Sequence, residues 1–507
     1  WPVLNYPTPA GTAAGNTVRR TVTIPADIRE IILGSTNYEW EQLDLRFEGG
    51  DTEIFANGWT LVVKAGVNML GGHYPTLYGG GVNANVPTTY GYKNEGGGLA
   101  YANSNGNTIL TLNSGTWQTV YGGGKETAAG VPGSTNITVN GAGLAAGGAV
   151  YGGGNEGSVT GNTNVTISSG SAAGGTPGVD QVIKIVAGGK NGAVTGAANL
   201  TVNGGVASTE ITIQGVDSGT AGSTNINVNL GANLPSTASN VTLNVYAGPK
   251  TEAKTGNNVP ANNVVDGSGY VTGAANASIY FAGPNRPNLG TVCGLKRDVN
   301  DTNNEASKGT LTLKGTMNVK EIIWFDTLNI GDATVNTGAV TVTGRLDSDP
   351  NKDRVQSNGD VRLFPFDRKG SLILNGEQRL NLPDQPADMA GVPNSETGEA
   401  KVGRLITTSN QAHLHIGRRK TAVNQEGRGI GATNPLYVTL ENGTANLTAH
   451  KLRVGTPQGT PHYGEILITF PRPIKTGEGA TVEPSKDHYQ TDTEGWILNL
   501  KESRFNY

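Results

Sequence analysis

The sequence predicts an all-β fold, a right-handed parallel β-helix (β-solenoid) built from Gly-rich repeats of about 30–35 residues. Two stretches carry the same pattern position by position: residues 151–170 read YGGGNEGSVTGNTNVTISSG, and residues 186–205 read VAGGKNGAVTGAANLTVNGG. Self-similarity at periods of about 20–50 residues is typical of solenoids, propellers and arrays, because one such unit cannot bury its apolar face alone.

Further copies follow from the reference position of the repeat, which is Tyr151 in the first stretch and Val186 in the second. The equivalent residues elsewhere are Tyr78, Tyr121, Tyr246 and Phe281. Tyr121 and Tyr151 are 30 residues apart, and Tyr151 and Val186 are 35 apart. The 60 residues between Val186 and Tyr246 are close to two periods, and we interpret Ile211-Thr-Ile-Gln-Gly215 as the missing copy.

Each repeat contains three short segments with strand character. In one copy they are residues 149–151, 157–160 and 163–167, each bounded by Gly or Asn. β-Branched residues favour a pleated surface, whereas Gly and Asn favour tight corners, and at Gly122, Gly152 and Gly188 we expect positive φ. Three strands and three corners predict a triangular coil, which the chirality of parallel crossovers makes right-handed. A propeller blade or a leucine-rich repeat would show a different frame.

Composition divides the chain into three parts. Residues 1–60 are poorer in Gly and carry a charged run, as expected of an N-terminal cap over the end of the solenoid. Residues 61–307 are the Gly-rich β-helix repeats. Residues 308–507 have longer period-two strand patterns separated by polar loops. This last part is either the same β-helix continued with longer loops or a separate β domain.

Charge and cysteine usage exclude several classes of protein. The net charge is −4 and only 15% of residues are charged, which argues against nucleic acid as a partner. No run of about 18 apolar residues occurs, so we expect no membrane insertion. The single cysteine, Cys293, excludes an internal disulfide and is expected to be a small buried residue. We expect a monomer.

The candidate ligand-binding residues are the tyrosines at the reference position: Tyr78, Tyr121, Tyr151 and Tyr246. The residue before each of them is aliphatic. Because successive strand residues face opposite ways, an inward aliphatic column predicts an outward ladder of rings, suited to stacking on sugars or docking a protein. The alternative is that each strand bends at its Gly corner and packs the rings as core.

A candidate metal site has the alternating oxygen ligands that calcium prefers: Asp347, Asp349, Asn351 and Asp353. The segment departs from the EF-hand pattern at Lys352, which replaces the turn Gly, so a solvated acidic loop is the alternative. Calcium is the only cofactor that the sequence suggests. For catalysis we predict no residues, because Glu126 and Glu156, the acidic pair at equivalent repeat positions, are interpreted as solvated corner residues.

The Tyr-Gly-Gly-Gly and Val-Thr-Gly-x-x-Asn-Val-Thr repeats resemble those of Gram-positive cell-surface proteins of the right-handed β-helix, pectin-lyase-like type. The resemblance covers about residues 70–290. It implies an extracellular, wall-displayed, non-catalytic adhesin that binds host or environmental glycans or extracellular proteins. The alternatives are a polysaccharide lyase or glycoside hydrolase on the same fold, and a structural stalk or spacer.

Overall fold

In the computed structural model the chain is a parallel β-helix, as the repeats predict. The residues that the structure describes are 20–33, 38–88, 90–93, 99–102, 106–168, 182–204, 210–232, 234–250, 252–253, 264–265, 269–295, 309–323, 325, 327–343, 346–347, 371–382, 400–407, 413–416, 436–440, 446–449, 452–454, 475–476, 480–481, 489–492 and 495–498. They fall into two compact units. Unit 1 comprises Trp1–Lys250, Gly267–Ala275 and Gly283–Pro287, and unit 2 comprises Thr251–Asp266, Asn276–Ala282 and Asn288–Tyr507.

Two parallel sheets form most of unit 1. The first, called here the tyrosine sheet, has the strand order Glu30–Ile32, Glu53–Phe55, Thr76–Tyr78, Thr116–Tyr121, Gly143–Tyr151, Val182–Val186, Glu210–Gln214 and Thr242–Tyr246. The second, called the asparagine sheet, has the order Tyr38–Trp40, Leu61–Val63, Thr108–Leu112, Thr135–Val139, Thr163–Ile167, Val194–Val202 and Thr220–Leu230, and Tyr270–Val271 pairs with the last strand. Strands alternate between the two sheets along the chain, which makes each pair of strands part of one coil.

The third side of the coil is narrower. Near the N-terminus it is a parallel sheet of Arg20–Ile24, Leu43–Phe47 and Asn68–Leu70. Farther along it consists of single parallel bridges from Val131 to Val159 and from Val159 to Val194. Of the three segments predicted for one repeat, 149–151 and 163–167 are therefore confirmed as strands, whereas 157–160 contributes only the bridges of Val159.

The missing copy of the repeat is also confirmed. The strand Glu210–Gln214 lies between Val182–Val186 and Thr242–Tyr246 in the tyrosine sheet. Gln214 takes the reference position, opposite Val186 on one side and Tyr246 on the other. The 60-residue gap is thus two coils.

Aliphatic side chains that alternate with polar ones fill the interior of the asparagine sheet. One inward column, buried throughout, consists of Leu110, Ile137, Val165, Leu200 and Ile226. Its members lie opposite one another on adjacent strands. Burying one such side chain stabilises the fold by about 1.5–3 kcal/mol. Each added coil therefore contributes a similar free energy through its residue in this column.

A buried threonine closes each coil against the next. Thr135 lies at the inward start of its strand, and its hydroxyl donates to the carbonyl oxygen of Gly152 at 2.5 Å. Equivalent bonds join Thr108 to Gly122, Thr163 to Ala187 and Thr224 to Ala247. These bonds satisfy corner carbonyls inside the coil, where an unpaired acceptor would be costly.

The expectation of positive φ at the corner glycines is wrong. Gly122, Gly152 and Gly188 are not among the described residues with positive φ. A Cβ on Gly122 would overlap the carbonyl oxygen of Gly152 and lie 2.9 Å from the Cβ of Thr135. At Gly188 the nearest atom is a methyl of Val216 at 3.0 Å. Glycine is needed at these corners because successive coils approach closely.

Unit 2 also contains parallel sheets. One runs through Ala275–Phe281, Thr310–Lys314, Thr327–Ile330, Ser371–Leu374, Ala400–Thr407 and Leu436–Leu440. The other runs through Asn288–Cys293, Met317–Ile323, Thr337–Val342, Glu377–Leu382, His413–Ile416 and Asn446–Ala449, with Leu346–Asp347 paired to Met317–Ile323. Cys293 is fully buried, as expected. The boundaries predicted at residues 60 and 307 stay predictions.

The remaining elements are small. Antiparallel pairs are Tyr90–Lys93 with Leu99–Ala102, Glu252–Ala253 with Val264–Val265, and Lys475–Thr476 with Ala480–Thr481. Gly495–Leu498 lies antiparallel between Leu452–Val454 and Tyr489–Asp492. Ser236–Asn240 is a short 3-10 helix. Among the described residues, no helix is long and apolar enough to cross a membrane.

The close approach of the coils gives a stability prediction. Replacing Gly152 by Ala should lower the free energy of unfolding by about 1–3 kcal/mol, because the new methyl group would overlap the carbonyl oxygen of Ala187. The control is Gly231→Ala, since the space around Gly231 is open and its φ is not positive. That variant should unfold within about 0.5 kcal/mol of the parent in denaturant titrations. Equal stability of the two variants would contradict the packing described here.

Candidate functional site

Three of the four tyrosines at the reference position, Tyr78, Tyr121 and Tyr151, form a continuous stack in the tyrosine sheet. Phe55 precedes them, and the ring centroids of Phe55 and Tyr78, of Tyr78 and Tyr121, and of Tyr121 and Tyr151 are 4.8, 4.8 and 4.9 Å apart. The rings are within 9° of parallel. This spacing is the distance between paired strands, because the four residues lie opposite one another in register.

The stack faces away from the aliphatic residues that precede each ring on its strand, yet it is buried. Tyr151 packs in one cluster with Ala149, two residues earlier on its strand, whereas Val150 points to the opposite side. Even so, the exposed fractions of Tyr78, Tyr121 and Tyr151 are 4%, 5% and 5%. Tyr246 is 5% exposed. The rings therefore pack as a second core, and the open ladder on which the predicted sugar-stacking role depended is not found.

Glu53 lies at one end of the stack and belongs to an ion pair. Its carboxylate accepts a hydrogen bond from the Tyr78 hydroxyl at 3.2 Å. The ammonium of Lys125 lies 2.6 Å from the other carboxylate oxygen of Glu53 and 3.9 Å from Glu30. Lys125 follows Gly124, so the loop after the glycine corner supplies the cation that covers this part of the stack.

Asp217 has the same role at Tyr151. Its carboxylate accepts from the Tyr151 hydroxyl at 3.2 Å and pairs with the ammonium of Lys184 at 2.7 Å. The Lys184 ammonium also lies 5.9 Å from the centre of the Tyr151 ring. A cation over the face of a ring is attracted by its quadrupole. Both tyrosine hydroxyls are therefore held by carboxylates that lysines neutralise.

Burial and neighbouring charge favour the neutral form of these tyrosines. Burial, and then the negative charge of Glu53, raises the pKa of Tyr78 far above its ordinary value. Burial followed by the charge of Asp217 does the same to the pKa values of Tyr121 and Tyr151. The hydroxyls are thus donors that stay protonated at neutral pH.

Next in the column after Tyr151 come Val186 and Gln214. Gln214 is fully buried, and among the described residues neither its side-chain nitrogen nor its side-chain oxygen has a hydrogen-bond partner. The aromatic stack therefore ends at Tyr151, and Tyr246 lies beyond this polar interruption.

The candidate calcium site is described only in part. Asp347 ends the strand Leu346–Asp347, where it lies opposite Ile323. Asp349, Asn351 and Asp353 lie outside the described residues. Calcium binding by this segment stays a prediction.

The outer face of the asparagine sheet is a surface that sequence reasoning missed. Across five adjacent strands it presents three side-chain columns, and we call these fifteen residues the asparagine face. They are Ile109, Thr111 and Asn113; Asn136, Thr138 and Asn140; Asn164, Thr166 and Ser168; Asn199, Thr201 and Asn203; and Asn225, Asn227 and Asn229. All are partly or fully exposed, and none is charged.

The first column is a ladder of side-chain amides. The Asn164 amide nitrogen donates to the Asn136 oxygen at 3.1 Å, and Asn199 donates to Asn164 at 3.0 Å. Asn225 donates to Asn199 at 3.0 Å. The signal in the sequence is the recurrence of Asn-x-Thr at one position of successive coils, as in Asn136-Ile-Thr138, Asn164-Val-Thr166 and Asn199-Leu-Thr201.

Comparison of the chain with family models, curated proteins and solved structures finds no match.

The buried stack predicts how Tyr121 responds to substitution. Tyr121→Ser should lower the free energy of unfolding by about 3–5 kcal/mol, because it removes a ring packed between two others. Tyr121→Phe is the matched control and should stay within about 0.5 kcal/mol, since no hydrogen bond of this hydroxyl is recorded among the described residues. Denaturant unfolding of both variants tests this. A Tyr121→Ser protein as stable as the parent would mean that the ring is not part of a core.

The raised pKa values predict alkaline unfolding. A folded pKa above the unfolded value of 10.0 leaves stability intact below about pH 10 and reduces it as the pH rises further, because only the unfolded chain ionises easily. Phenolate absorbance from Tyr78, Tyr121 and Tyr151 should thus appear together with loss of the β-sheet circular dichroism. Tyr121→Phe should remove one tyrosine from that cooperative step. Complete phenolate formation in a protein that keeps its β-sheet spectrum would contradict the assignment.

Proposed function

We propose that the chain is a non-catalytic extracellular protein of the bacterial cell surface that presents a rigid β-solenoid face to host or environmental glycans or proteins. The observation that carries this proposal is the asparagine face, where five adjacent strands in register expose the same types of side chain. Solenoids use such repeated surfaces to bind extended partners.

The carboxylates of the tyrosine sheet favour binding over catalysis. A polysaccharide lyase or glycoside hydrolase needs an acid and a base that exchange protons with the substrate. Glu53 and Asp217 instead pair with Lys125 and Lys184 and accept hydrogen bonds from buried tyrosines. Their geometry suits a structural role in covering the aromatic stack.

The location rests on the resemblance of the repeats to Gram-positive surface proteins. The Asn-x-Thr segments that carry part of this resemblance supply the exposed amide and threonine columns. In a surface protein each coil would lengthen the binding surface, because each coil adds polar groups of the same kind to the asparagine face.

A binding screen tests the proposal. The purified chain, immobilised through a terminal tag, should bind at least one member of a panel of host glycans, plant and microbial polysaccharides and matrix proteins, with saturable signal and no cleavage. Release of sugar products, lost in Glu53→Gln or Asp217→Asn with folding intact, would replace this function with catalysis. Absence of binding across the panel would favour a structural stalk and overturn the proposal.

A further inference from the structure

We infer that the asparagine face binds an extended, uncharged polysaccharide chain. This inference rests on the proposed function and deepens it, since it names the binding surface and the chemical class of the ligand. Four properties of the face carry it: hydrogen-bonding capacity, neutrality, lack of apolar anchors and regular spacing.

The amide ladder leaves hydrogen-bonding groups available. A side-chain amide has two N–H donors and an oxygen with two lone pairs. Asn164 uses one donor and one acceptor within the ladder, and so does Asn199. Among the described residues nothing else bonds to these two side chains, so each keeps one donor and one acceptor for a ligand. Donors and acceptors in equal number match sugar hydroxyls, which also do both.

The threonine column adds to this capacity. Thr111, Thr138, Thr166 and Thr201 lie opposite one another on four adjacent strands. For Thr138, Thr166 and Thr201 the described part of the chain shows no hydrogen bond of the hydroxyl within the protein. Each hydroxyl is one donor and an acceptor, so the second column repeats the same chemistry two residues along every strand.

The lack of charge selects the kind of glycan. None of the fifteen residues of the face is Asp, Glu, Lys, Arg or His. Uronic-acid, sulfated or phosphorylated polymers would find no cation to pair with. A neutral chain needs no charged partner on this face, and its binding does not require the desolvation of any ionised group.

A glycan fits this face better than a protein does. Protein interfaces depend on a few large aromatic or Arg anchors buried at their centre. Among the fifteen residues of the asparagine face, the one large apolar side chain is that of Ile109, which is 38% exposed and lies at the edge of the face. Polar groups of similar strength, repeated at each coil, suit a polymer with a repeated unit.

The spacing favours a chain over a single sugar. Adjacent strands are about 4.8 Å apart, so five strands extend the columns over about 19 Å. Each coil offers only a few neutral hydrogen bonds, which are individually weak. Measurable affinity therefore requires a ligand that contacts several coils at once.

The test is affinity electrophoresis in gels that contain a neutral β-glucan, a mannan or polygalacturonate. We expect retardation by at least one neutral polymer and none by polygalacturonate. The double variant Thr166→Val with Thr201→Val should weaken binding about tenfold, because it removes two hydroxyls and keeps β-branched residues in the strands. Thr242→Val, on the outer side of the tyrosine sheet, is the matched control and should bind within twofold of the parent.

A second variant protects the test against misfolding. Thr166→Lys adds bulk and charge on the outer side without changing the core, so it should retain the melting temperature and abolish binding. Two results would overturn the inference while the proposed function stands. One is retardation by polygalacturonate alone, and the other is binding as strong as that of the parent in both the double variant and Thr166→Lys. If the protein produces thermal hysteresis in freezing solutions and binds no glycan, the asparagine face is an ice-binding surface, and the inference is also overturned. No binding to any panel member would remove the proposed function itself.

Discussion

The register of the backbone hydrogen bonds between successive coils governs the rest of this structure. Each residue of a strand lies opposite the equivalent residue of the next coil, so Asn136, Asn164 and Asn199 align, and Tyr121 aligns with Tyr151. A residue type that recurs in the sequence thereby becomes a column in space. Columns of aliphatic residues give a core, columns of rings give a stack, and columns of amides give a ladder.

The two sheets use that register differently. The tyrosine sheet is buried on both sides at its aromatic column, where Lys125 and Asp217, from the loops after the glycine corners, pair with Glu53 and Lys184 of the strands beside the tyrosine hydroxyls. The asparagine sheet is buried only on its inner side, and its outer side is polar and accessible. Packing and the proposed recognition therefore lie on different faces of the same coil. A substitution in the outer asparagine or threonine columns should have little effect on packing.

Much of the fold could be predicted because the repeat is local. The coil, the strands of its two wide sides and the missing copy at Ile211–Gly215 follow from short patterns and their spacing. Burial of the tyrosines could not, because the groups that cover them come from distant positions. Lys125 lies 72 residues from Glu53, and Asp217 lies 66 residues from Tyr151. The corner glycines were located correctly, but close contact between coils had to be seen in three dimensions.

The dependence of affinity on the length of the glycan shows most clearly whether successive coils act together as one binding surface. Calorimetric titration with oligosaccharides of increasing length, cut from the neutral polymer that binds, separates an array from a local pocket. If the coils act together, affinity should rise with each added sugar until the ligand spans about 19 Å, the length of five paired strands, and then level off. A disaccharide that binds as tightly as the longest oligosaccharide would contradict it.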